Sequence, residues 1–149
     1  MGSASFSLHQ PPRTSTSNVF ELATAITNQT SVNCVAITPQ ADSMVNSVER
    51  DFLKKLPTAW TDTKFIDGYP TRYAVIARKD AATGKWYVGG LNGTDKPMTL
   101  DIALPMMAGE QVNMICDGKN GEAVAAKAKV NRDGRFKITL KPMGGIVIF

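Results

Sequence analysis

The chain has 149 residues, of which 43% are hydrophobic and 20% charged, and its net charge is +4. That length predicts one domain with a short appendage, and the composition supplies an ordinary packed core and argues against wholesale disorder. Apolar runs are too short for a membrane-spanning helix, and the first residues carry neither the basic n-region nor the apolar h-region of a signal peptide.

Residues 1–17 are rich in Ser, Thr and Pro and read as a flexible N-terminal segment. A helical segment is expected over 18–57. Asn18 can cap a first helix, with Glu21 reaching back to it, and Val19, Leu22, Ala23 and Ile26 form one apolar face. That helix is expected to end near Thr30. Cys34 to Thr38 is a short apolar run. Asn46-Ser47-Val48-Glu49 is a second capping box; Val45, Val48, Phe52 and Leu56 share a face, and Pro57 stops the helix. Neither stripe can be buried by its own helix, so each requires a partner surface.

After Pro57 the period changes from helical to alternating. Strands are expected near 60–66, 71–79, 85–92, 97–104, 110–117, 122–131, 134–141 and 144–149. Asp117-Gly118, Asn120-Gly121 and Asp133-Gly134 supply the positive φ of tight turns. Phe136, Ile138 and Leu140 share one face, and the run Ile146 to Phe149 suits a strand buried on both sides. The expected fold is mainly β: an antiparallel β-sandwich of about eight strands over 58–149, preceded by two short helices.

The residues of chemistry are sparse. His9 is the only histidine and lies in the N-terminal segment, which argues against a histidine triad or a His-rich zinc site. Gly89-Gly90 falls within a strand and marks a bulge or close backbone packing. Asp62 and Asp67 are the carboxylates to weigh as a glycosidic acid/base pair, against a plainer reading as turn and strand-face residues. Cys34 and Cys116 match no metal or redox spacing and read as buried or reduced thiols, with a bridge between them as the alternative. Lys127, Lys129, Arg132, Arg135, Lys137 and Lys141 alternate along two strands and read as a solvated sheet face; no nucleic-acid recognition motif accompanies them. Trp60, Tyr69 and Trp86 are candidates for a sugar-stacking platform, against a plainer role in the core or at the interface with the helices.

Several motifs in order, Leu56-Pro57-Thr58-Ala59-Trp60, Asp62-Thr63-Lys64, Asp67-Gly68-Tyr69-Pro70 and Trp86 to Gly93, resemble the C-terminal portion of glycoside hydrolase family 97. Upstream, Phe20-Glu21-Leu22-Ala23 resembles the start of the last helix of that family's catalytic barrel, and Phe52 to Pro57 resembles the link into its sandwich. The similarity covers about residues 18–117. Thr61 replaces a more usual acidic residue, and Thr71-Arg72 replaces the glycine commonly seen after Tyr-Pro.

The resemblance implies a bacterial parent enzyme, periplasmic or secreted, that hydrolyses α-glucosides or α-galactosides by inversion or retention. It implies calcium in that parent, but no catalytic residue, metal ligand or cofactor in this chain, whose segments match none of the family's catalytic glutamates. The expected role is non-catalytic: a C-terminal sandwich that packs against a catalytic barrel, with self-association through the barrel-facing patch. The alternative is a carbohydrate-binding module using exposed aromatics. Neither nucleic acid nor membrane is an expected partner.

Overall fold

The computed structural model describes residues 3–7, 16–29, 32–36 and 45–149. Two helices and ten strands are present among them. Helix α1 spans Asn18–Thr27. Its cap is Ser17 rather than Asn18: the Ser17 hydroxyl accepts the Phe20 N–H at 3.0 Å from an extended backbone. Asn18 is thereby freed for a tertiary bond, donating to Glu49 Oε1 at 3.0 Å. Helix α2, Ser47–Lys55, carries the expected capping box between Asn46 and Glu49, and Lys54 and Lys55 complement the dipole at its last turn. Asn46 also donates to the Ala123 carbonyl at 2.8 Å, so the cap ties α2 to the sheet.

Strands β1 (Ser3–Ser7) and β2 (Val32–Ala36) pair in parallel on either side of α1 in sequence. Neither was read as a strand from the sequence, and β1 lies within the segment read as flexible. His9, Thr30 and Thr38 lie outside the described residues, as does the thiol of Cys34.

The remaining eight strands are those the alternation predicts: β3 Trp60–Tyr69, β4 Tyr73–Asp80, β5 Trp86–Asn92, β6 Met98–Ala103, β7 Gln111–Asp117, β8 Ala123–Lys129, β9 Arg135–Leu140 and β10 Gly145–Ile148. The largest boundary difference is at β3, which runs on to Tyr69. Six of them form an antiparallel sheet in the order β3-β4-β5-β10-β7-β8, and β6 pairs with β9 as a separate antiparallel ribbon.

The ribbon covers one face of the six-stranded sheet. Phe136, Ile138 and Leu140 point inward from β9 against Val75, Val88, Ile146 and Ile148. Arg135, Lys137 and Thr139 face solvent between them, as period-two alternation requires. Lys127 and Lys129 are also exposed, but on β8, so the basic residues divide between the two sheets rather than forming one face. The helices cover the opposite sheet face, where Val19, Leu22, Ala23 and Ile26 of α1 and Phe52 of α2 pack on Tyr87, Ile115 and Val147. Strand β10, buried at all four residues, contributes to both cores.

Glycines let α1 sit directly on the sheet. A Cβ at Gly89 would come within 2.8 Å of the Ala23 carbonyl oxygen, and one at Gly145 within 2.8 Å of the Phe20 backbone. The pairing of β5 through Gly89 and Gly90 runs without a register shift, so these glycines serve close packing and not a bulge. Gly121 and Gly134 adopt the positive φ expected of them. Gly118 does not; it is kept small by the Glu122 carboxyl group and Val124.

Candidate functional site

The three candidate platform residues occupy three different places. Trp60 is half-buried on the helix-covered face, edge-on to Tyr87 with centroids 5.7 Å apart, and the Arg78 guanidinium lies 4.8 Å over its ring. Arg78 is buried and donates to the Asn28 carbonyl at 3.0 Å; burial lowers its pKa from the ordinary value. Trp86 packs against the ribbon-side core, with Lys64 Nζ 5.3 Å from its ring centroid. Tyr69 stands at the far end of β3 and is 61% exposed. The structure therefore brings none of the three together.

Neither do Asp62 and Asp67 converge. They are five positions apart on one strand, which at the usual rise is about 16 Å, beyond the roughly 5–9.5 Å of paired glycosidase carboxylates. Each is held locally: Asp62 accepts the Thr63 N–H at 2.8 Å, and Asp67 accepts the Gly68 N–H at 2.8 Å and the Tyr73 hydroxyl at 3.2 Å. Burial, then the Asp67 charge and hydrogen bond, raises the Tyr73 pKa. Among the described residues, no cluster of three or more His, Cys, Asp or Glu side chains is placed to hold a metal ion.

Asp117, at the end of β7, has a raised pKa. Burial raises its pKa, against bonds from the Ser17 hydroxyl and the Gly145 N–H and the nearby Lys141 charge. Its Oδ1 is buried without a hydrogen-bond partner. Lys141 Nζ donates to the neighbouring Gly118 carbonyl. Cys116 beside it is a free, half-buried thiol whose pKa is raised by burial and by the Asp117 charge. This group joins the N-terminus of α1, the end of β7 and the start of β10, which is the work of a structural clasp.

One open cup lies at the Tyr69 end of β3. It encloses about 430 Å3 and is walled by Phe20 of α1, Phe65 and Tyr69 of β3, Tyr73 of β4 and Leu91 of β5. Phe65 is 70% exposed, and its ring lies against Gly68, where a Cβ would come within 3.1 Å of it. The Arg72 guanidinium lies 5.9 Å over the Tyr69 ring. The turn that closes the cup runs Tyr69 to Arg72, sealed by the Arg72 N–H to the Tyr69 carbonyl at 3.0 Å. Pro70 takes its second position, and Thr71 stands at φ 65° in the third, which turns of this shape reserve for glycine. Sequence reading missed Phe65 because β3 shifts register twice, between Trp60 and Asp62 and between Phe65 and Asp67, so simple alternation assigns it no face.

Comparison with known proteins follows the same lines. The chain is 30% identical over 115 residues to a probable retaining α-galactosidase of Streptomyces bingchenggensis, covering 76% of this chain and 18% of that protein. It is 25% identical over 134 residues to a retaining α-galactosidase of Bacteroides thetaiotaomicron, covering 86% and 20%. The crystal structure of a β-arabinopyranosidase superposes with a TM-score of 0.82 at 38% identity, covering 89% of this chain and 21% of that one. The chain thus spans about a fifth of the length of each of these relatives. Residues 59–149, more than half of the chain and all eight antiparallel strands, match the family described as glycosyl-hydrolase 97 C-terminal, oligomerisation, and the chain belongs to that family.

Proposed function

We propose that this chain is the non-catalytic C-terminal part of a retaining glycosidase acting on galacto-configured α-glycosides, and that its sandwich packs against the catalytic region and helps hold subunits together. The observation that carries the structural role is the burial of α1. Val19, Leu22, Ala23, Ala25 and Ile26 are all fully buried, although an amphipathic surface helix hides only one stripe. One side of α1 lies on β4, β5 and β10, and it also touches β1 of the parallel pair. Parallel strands are ordinarily buried on both faces within larger sheets, and two strands alone are marginal. An α1 shared between the sandwich and a parallel β layer supports a sandwich built to join a βα-type region.

The choice of sugar rests on the relatives. Two are α-galactosidases, which favours galactosides over glucosides. The chain alone should not hydrolyse p-nitrophenyl α-D-galactopyranoside or its α-glucoside counterpart. Measurable turnover by the 149-residue chain would overturn the non-catalytic role. Sedimentation velocity should show association that grows with concentration; a clean monomer throughout would count against the subunit-joining role.

A further inference from the structure

We propose that the cup of Phe20, Phe65, Tyr69 and Leu91 is a saccharide subsite that stacks one ring of a galacto-configured oligosaccharide, the sugar class resting on the glycosidase reading above. Four observations converge on it. First, Phe65 and Tyr69 are the two most exposed large hydrophobic residues of the described chain, and both line this one concavity. Exposed aromatic surface of this kind marks binding, and a volume of about 430 Å3 lies within the range of small-ligand sites. Second, the rings are pre-positioned and flanked by polar groups. Gly68 lets the Phe65 ring lie down on the strand, Arg72 sits over Tyr69, and Tyr73 is held by Asp67. An apolar cup with the Arg72 guanidinium at its rim matches a sugar, which has an apolar C–H face and a hydroxyl rim.

Third, the turn beside the rings is strained. A β-branched Thr71 stands at φ 65°, and such outliers concentrate where geometry serves binding. Fourth, the cup draws its wall from α1 as well as from the sheet. Phe20, the third residue of α1, is part of the wall.

The test is saturation-transfer NMR on the 149-residue chain with melibiose, raffinose and maltotriose at millimolar concentration. Transfer to melibiose or raffinose is expected. Phe65→Ala and Tyr69→Ala should each weaken binding roughly tenfold or more, while Val124→Ser, on the opposite edge strand, should leave it unchanged. Both tested rings are exposed, so neither variant should cost the fold. Absence of transfer to all three sugars overturns the subsite, as does transfer undiminished in both alanine variants. Loss of self-association in those variants without any sugar signal reassigns the cup to a contact between copies. Transfer to maltotriose alone keeps the subsite and overturns the galactoside reading, so the two failures are separable.

Discussion

The two faces of the six-stranded sheet are packed on different principles. On the ribbon face, side chain meets side chain: Leu140, Ile138 and Phe136 interdigitate with Val75, Val88 and Ile148. On the helix face, main chain approaches main chain, because Gly89 and Gly145 leave room for the backbone of α1. That face also contains a buried polar bond between Asn18 and Glu49, and Glu49 is 1% exposed. The ribbon-side core is drawn wholly from residues within 59–149, whereas the helix-side cover comes from residues before 59. The family-matched segment thus has one finished face and one face completed by the chain that precedes it.

Substitutions on each face test this difference. Leu140→Ala should have the largest effect, about 2–5 kcal/mol in chemical denaturation, as a fully buried leucine in close packing. A loss well under about 1 kcal/mol would mean that the ribbon is loosely seated. Gly89→Ala should cost less, about 1–3 kcal/mol, and should act locally. Its methyl group meets the carbonyl of Ala23, so hydrogen exchange should accelerate in α1 while β9 stays protected. Uniform acceleration in both would show that the two faces unfold as one unit.

The smallest effect belongs to Asp117→Asn, and it depends on pH. Burial raises the folded-state pKa of Asp117, so the folded chain favours the protonated carboxyl. Its contribution is fully present below the unfolded pKa and is lost as pH rises through the folded value. Asparagine keeps an acceptor for the Gly145 N–H without a charge to bury. The variant should therefore match or exceed the parent in Tm at neutral pH, and the advantage should shrink in acid. A difference that does not change with pH would show that the carboxylate is not buried at a cost.

Much of the fold was legible because its signals are local. Asp133-Gly134 places a turn, Arg135 to Leu140 alternates cleanly, and Asn46 with Glu49 announces α2. The division of strands between sheets was not legible. Strands β6 and β9 lie far apart in sequence and alternate no differently from their neighbours, so only tertiary packing separates them. The choice of Ser17 over Asn18 as cap was also hidden. Both residue types cap well, and the tertiary partner Glu49 decided which was used. Of the aromatic candidates, the sequence could name Tyr69, Trp60 and Trp86 but not the covers that half-bury the two tryptophans, and Phe65 was concealed by two register shifts in β3.

The central position of β10 constrains the order of assembly. It is the last of the ten strands to be synthesised, yet it lies between β5 and β7 and hydrogen-bonds to both. Until Gly145 to Ile148 leave the ribosome, the β3-β4-β5 meander and the β7-β8 hairpin have no shared seam. Both cores lack Ile146, Val147 and Ile148 for the same interval. The sheet can therefore close only once β10 has emerged. Two growing chains held close together would expose the same waiting edges, β5 and β7, to each other's final strand, so exchange of β10 between copies is the misassembly this topology has to avoid.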